Sequence, residues 1–119
     1  MKPIESVARQ VWQEFSPRED EELAFDENFR DHGLITVTIG DSSEAFDADP
    51  DEPLGFLAAY LADRIQTIVM EERQQMVPEC PLHPAAHPLD SRVIDGSAAW
   101  VCPSTKRLVR YMRVAAEGA

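Results

Sequence analysis

Two cysteines, three histidines and five glycines leave little material for several common chemistries. So few cysteines exclude a disulfide-dense scaffold, the usual solution for very small exported domains. The sparse glycines form no phosphate-cradling loop, and no His-Glu-x-x-His pair is present to build a protease-type zinc helix. No apolar run approaches the roughly 20 residues that a membrane helix needs, so no membrane partner is expected. Basic residues are scarce as well: 11 Lys and Arg stand against 22 Asp and Glu, a net charge of -11. That balance opposes nonspecific affinity for nucleic acid, because phosphates are repelled. The first residues, Met-Lys-Pro-Ile-Glu-Ser, lack the apolar stretch of a signal peptide. A reducing, cytoplasmic setting is therefore expected, in which the cysteines serve as thiols or metal ligands.

What is present fits one α+β domain spanning residues 1–119. Its 44% apolar content is ordinary for a globular chain. The charge is unevenly placed. Fourteen acidic residues lie between Glu14 and Glu52, against only Arg18 and Arg30, whereas Lys106, Arg107, Arg110 and Arg113 follow Pro103. An acidic surface of this kind is usually solvated, and a decoy that mimics DNA is the sharper alternative.

Ile4, Val7, Ala8, Val11, Trp12 and Phe15 recur at helical spacing, with Pro3 suited to a first turn and Pro17 to a stop. This stripe predicts an amphipathic helix. It either packs on its own domain or, through Trp12 and Phe15, forms a partner or homodimer interface. Arg18–Glu22 reads as a charged loop. Leu23–Phe29 reads as an edge strand, Asp31-His32-Gly33 as a turn with His32 exposed, and Leu34–Gly40 as a half-buried strand in which Ile35, Val37 and Ile39 alternate with threonines.

Asp47-x-Asp49-x-Asp51 has the spacing of a calcium loop's start, but Glu52 stands where Gly is needed and Ala58 where Glu is needed. A helix start fits better, with Asp49 as cap and Pro50 at the first helical position. The helix itself is expected over about Pro53–Gln75, ended by Pro78. Leu54, Leu57, Ala58, Leu61, Ile65, Ile68 and Val69 line its buried face, Phe56 and Tyr60 widen that face, and Asp63, Arg64, Gln66, Glu71, Glu72 and Arg73 point away. It is expected to pack on a sheet.

The residues from Cys80 to Cys102 carry the chemistry. Asp95-Gly96 is a strong signal for a two-residue hairpin turn. With Ile94 and Ser97 flanking it, Cys102 falls opposite Leu89, beside His87. Two thiolates and two imidazoles, from Cys80, His83, His87 and Cys102, would then converge, and zinc takes four such ligands in a tetrahedron. Proline after each cysteine stiffens the turn whose amides face the sulfur. Cys80-Pro-Leu-His83 and Cys102-Pro-Ser-Thr105 look like two zinc knuckles, so residues 78–105 resemble a zinc ribbon. Thr105 stands in the ribbon's fourth ligand place; either His87 replaces it, or water does, or no metal binds. Two ordinary thiols, a Cys80–Cys102 disulfide and a catalytic zinc remain as other readings. For the last, Asp90 is the sequence-local candidate base.

Trp100 is expected to cover core from the second hairpin strand. Residues 104–116 suit a helix through Leu108, Val109, Met112 and Ala115–Ala116, with Ser104 as cap, although Leu108, Arg110, Met112 and Val114 also alternate in part. The basic residues there can meet the acidic half of the same chain or of a second copy. The expected architecture is α+β: two amphipathic helices on a small antiparallel sheet, with a C-terminal zinc-ribbon-like hairpin. The expected function is a non-enzymatic interaction or regulatory module with a structural zinc and an unidentified protein partner. A small metal-dependent hydrolase and the DNA-mimicking decoy are the alternatives.

Overall fold

The apolar stripe at the amino terminus closes into helix α1 (Pro3–Gln13) in the computed structural model, which describes residues 3–28 and 34–115. Ile4, Val7, Ala8, Val11, Trp12 and Phe15 are all buried. Trp12 and Phe15 are thus core residues rather than an exposed interface. Ser16 turns the chain at φ 48 before Pro17 can extend it. Arg73, at the far end of the second helix, ties this corner down. It donates to both carboxylate oxygens of Glu21 at 2.8 and 2.6 Å and to the Phe15 carbonyl at 2.9 Å, with its guanidinium over the Trp12 ring. The bonds from Arg73 hold the Glu21 carboxyl below its usual range against the opposing effect of burial.

The first sheet is antiparallel in the order β1-β2-β3, from β1 (Leu23–Asn28), β2 (Leu34–Ile39) and β3 (Ser42–Asp47). The alternation in β2 places Ile35, Val37 and Ile39 in the core. Phe29 and the expected Asp31-His32-Gly33 turn lie outside the described residues. The acidic stretch after Gly40 is a strand rather than a lead-in to the helix. Gly40, at φ 60, starts a two-residue hairpin loop that pairs Ile39 with Ser42. Phe46 is the apolar anchor of β3.

Helix α2 (Leu54–Arg73) starts later than Asp49 and Pro50 suggest. Asp49 Oδ1 instead accepts the Asp51 amide at 2.9 Å, closing a turn of its own. Pro53 disfavours a helical conformation at Glu52, so the helix begins only after it. The helix ends when Gln74 adopts φ 55, well before Pro78. Its expected apolar face is buried, but α2 packs on α1 and on both sheets, so the buried surface is broad and takes in Ala59, Ala62 and Gln66. Two expectations therefore reverse: Gln66 is interior at 5% exposure, and Phe56 and Tyr60 are exposed.

The hairpin of β4 (Asp90–Ile94) and β5 (Ser97–Val101) forms at the expected register, Ile94 against Ser97. Asp95 and Gly96 have φ of 50° and 79°, as the tight turn requires. The hairpin is not an appended ribbon. Its outer edge is extended by β6 (Leu108–Tyr111), giving a second sheet in the order β4-β5-β6, so the helix expected in this region is replaced by a strand. The open edge of β5 satisfies the backbone of this segment better than one short helix could. Ala116 lies outside the described residues. The fold is thus mixed α and β, with two three-stranded sheets in place of the single expected one.

Trp100 on β5 is fully buried. It meets Phe15 edge-on at 5.6 Å between centroids and donates from Nε1 to Glu14 Oε1 at 2.9 Å. Glu14 Oε2 accepts the Arg113 amide, and Arg110 Nε lies 3.8 Å from Oε1, so the basic C-terminal stretch meets an acidic residue of its own chain.

Gln66 anchors the 78–88 loop from the middle of α2. Its Nε2 donates to Val77 O at 3.0 Å and Leu89 O at 2.7 Å, while Leu89 N donates to Pro78 O at 2.9 Å. These bonds fasten both ends of the loop to the helix. Gln66→Leu keeps most of the volume but strips two carbonyls of their donor. It should cost about 1–3 kcal/mol in urea unfolding; an unchanged midpoint would show that the amide does not hold the loop.

Candidate metal centre

Between these fastened ends the chain makes two successive turns. His83 N donates to Cys80 O at 3.2 Å and Ala86 N to His83 O at 3.1 Å, so each turn closes on a residue of the cluster. Glu79 pairs as a bridge with Pro88 and accepts the Ala85 amide on Oε1 at 3.0 Å. That bond holds Ala85 at a positive φ of 62. Cys80 is drawn under the loop and is wholly buried.

The second thiol arrives from the other side. The β4–β5 ladder ends with Asp90 against Val101, so Leu89 and Cys102 lie next to each other just beyond it. Beyond Cys102 the chain folds back on itself: Lys106 N donates to Cys102 O at 2.8 Å, and Cys102 N to Arg107 O at 2.9 Å. Lys106 takes φ 63 at the reversal. The amides of Ser104 and Thr105 and the Thr105 hydroxyl donate toward the Cys102 sulfur. Thr105, in the ribbon's fourth ligand place, is thus a donor to sulfur rather than a ligand.

All four sequence-predicted residues are brought together. One ligand atom from each of Cys80, His83, His87 and Cys102 lies within 4.8 Å of every other. His83 Nδ1 is 3.5 Å from Cys102 Sγ and 3.9 Å from Cys80 Sγ. The two imidazoles lie 5.0 Å apart between ring centroids. Tetrahedral bonds of about 2.3 Å to sulfur and about 2.0–2.1 Å to nitrogen place S and N roughly 3.6 Å apart. The spacing around His83 is close to that value. The two cysteines are free and fully buried, the two histidines half-buried, so the group spans from core to surface.

The orientation of His87 is fixed from outside. Its Nδ1 lies 3.2 Å from Pro88 O; a carbonyl can only accept, so Nδ1 carries the proton and Nε2 is left with its lone pair. A backbone carbonyl on the far nitrogen is the usual support for a ligating imidazole. The Ser104 hydroxyl, 3.4 Å from Nε2, is exposed and can turn aside.

At Cys102, burial pushes the thiol up. The hydroxyl and amide of Thr105, the amide of Ser104 and the Cys80 thiol outweigh it and bring the group down to about 6. Cys102 is therefore set to be a thiolate near neutral pH, the form that binds metals. Asp90, the sequence-local candidate base, is turned toward Arg92 at 3.2 Å, and among the described residues no carboxylate joins the group. His32 lies outside the described residues.

Sequence reasoning found the four side chains but set Gln66 on the outer face of the helix and Thr105 in the fourth ligand place, and it missed the Pro88 carbonyl. Gln66 fastens the loop, Thr105 donates to the Cys102 sulfur and the carbonyl orients His87. No family model, curated protein or solved structure matches the chain. The likeness to a zinc ribbon therefore rests on this Cys/His group alone, which could hold a metal ion.

In the metal-free protein, the ultraviolet absorbance of the thiolate should rise with a midpoint near pH 6 for Cys102 rather than near its ordinary 9.0. Thr105→Val should move that midpoint upward. A midpoint at the ordinary value in the parent protein would show that these donors do not act on the sulfur.

Proposed function

We propose that Cys80, His83, His87 and Cys102 hold one zinc ion in a closed structural site, and that the protein is a non-enzymatic interaction or regulatory module. The observation that carries this reading is the convergence of two buried thiols and two half-buried imidazoles within 4.8 Å. Two sulfur and two nitrogen donors suit zinc; calcium and magnesium take oxygen ligands. A structural zinc fills all four places with protein atoms, whereas a catalytic zinc keeps one for water. Four protein donors are available here, and Asp90 is occupied by Arg92. Both points favour the structural role over hydrolysis.

In this role the ion would clip the 78–88 loop to the end of β5, fixing the second sheet against α2. Because zinc binding and folding of such a segment are one equilibrium, much of the local stability would come from the ion.

Elemental analysis of the purified, untagged protein should find one zinc per chain, with both thiols unreactive until a chelator is added. Freely reactive thiols without metal would overturn the proposal. His87→Ala should weaken zinc binding roughly tenfold or more, since loss of an outer-shell partner alone costs about 10–100-fold, and should loosen residues 78–105. A water-bearing hydrolytic site would instead keep its fold and zinc in this variant, with only its turnover altered.

A further inference from the structure

The exposed side of α2 is not a uniformly polar helix surface. Phe56, Tyr60, Asp63, Thr67 and Glu71 succeed one another at spacings of four and three residues and form its solvent-facing stripe. Two large aromatics head that stripe one turn apart, Phe56 at 51% and Tyr60 at 40% exposure. Single exposed apolar residues are ordinary. A pair on one helical ridge, with one ring held from behind, is a different case.

Tyr60 is held in this way. Its ring meets Phe46 of β3 edge-on, at 5.9 Å between centroids. Phe46 is buried, and the Arg64 guanidinium lies 5.5 Å from its centroid while pairing with Glu44. Tyr60 thus stands on a braced neighbour, and little freedom of its ring remains to be lost on binding a partner.

The rim is acidic. Asp63 follows Tyr60 by three residues on the same exposed stripe, and Asp47 directly follows Phe46, whose ring meets Tyr60. Burial first, then the charges of these two residues, raise the Tyr60 hydroxyl above its usual range. Asp49, Asp51 and Glu52 continue the acidic stretch toward the start of α2. The nearby cation Arg64 is engaged with Glu44 and Phe46. A second copy of this chain is a poor occupant, because each copy carries a net charge of -11.

We infer that the Phe56–Tyr60 ridge of α2, rimmed by Asp47 and Asp63, is a docking face for a basic segment of a partner protein that presents arginine or lysine beside apolar side chains. A guanidinium or ammonium group would lie over the tyrosine ring and meet the two carboxylates, and an apolar neighbour would cover Phe56. Acidic rims of this kind mainly govern association rate and partner choice, while the rings supply contact area. This inference rests on the interaction reading proposed above, but α2 holds the ridge independently of the four metal-site residues.

The test uses the isotopically labelled full chain, titrated by NMR with a synthetic peptide of alternating arginine and leucine. A peptide with glutamate in place of arginine serves as control. Shift changes should centre on Phe56, Tyr60, Asp63 and Asp47, and binding should weaken as salt rises. F56A/Y60A, with retention of the fold checked by circular dichroism, should weaken binding about tenfold. D20N/E22Q, in a separate acidic loop, should leave it unchanged. Binding that ignores F56A/Y60A, or that D20N/E22Q weakens equally, would reduce the contact to general charge attraction and overturn the inference. Self-association of the free chain that F56A/Y60A abolishes would also overturn it, by making a second copy the occupant. Zinc content measured on the same samples separates the two readings. Zinc without ring-dependent binding removes only the docking face; ring-dependent binding without zinc removes only the metal site.

Discussion

The register of one hairpin decides where the second thiol lies. Asp95 and Gly96 can both take positive φ, so the strands that leave them are locked at Ile94 against Ser97. Counting outward from that pair leaves no freedom at Cys102. A slip of one residue would turn every side chain of β5 to the opposite face, exposing Trp100 and carrying the Cys102 sulfur away from His83. The burial of Trp100 and its bond to Glu14 oppose such a slip. The geometry of the Cys/His group thus depends on a tryptophan and a tight turn that lie outside its four residues.

Register alone does not bring the histidines in. The 78–88 loop has few backbone partners of its own and must be closed from outside. Gln66 does this from the middle of α2, donating from its amide nitrogen to carbonyls at the two ends of the loop. A buried amide is costly unless satisfied. Here its donor capacity is spent on the segment that carries three of the four ligand candidates. Helix α2, packed on both sheets, is therefore also the foundation of the cluster. The same packing leaves the side of the helix with Phe56 and Tyr60 uncovered.

Much of the fold could be read from local pattern. The helical stripe of α1, the alternation in β2 and the Asp95-Gly96 turn each state their period within a few residues. The four metal candidates were legible because cysteine and histidine are rare in this chain and the turn supplied a register. Other features depended on neighbours that no local pattern reveals. Ser42–Asp47 hides a strand because Glu44 stands on the covered face with Ser42 and Phe46, where Arg64 of α2 offsets its charge, while Asp47 faces solvent. Leu108–Tyr111 became a strand because the edge of β5 was open to it. Gln66 looked like a surface residue, yet it is interior because the helix is covered from more than one direction, and Arg73 is half-buried against Glu21 and Phe15. Phe56 and Tyr60 looked like core and face solvent, because the covering layers end short of them.

The most direct test of a four-ligand zinc centre is X-ray absorption at the zinc edge of the purified protein. The spectrum should require two sulfur scatterers at about 2.3 Å and two nitrogen scatterers at about 2.0–2.1 Å, with imidazole outer-shell features. A first shell without sulfur, or one completed by water in place of the second imidazole, would contradict the closed site.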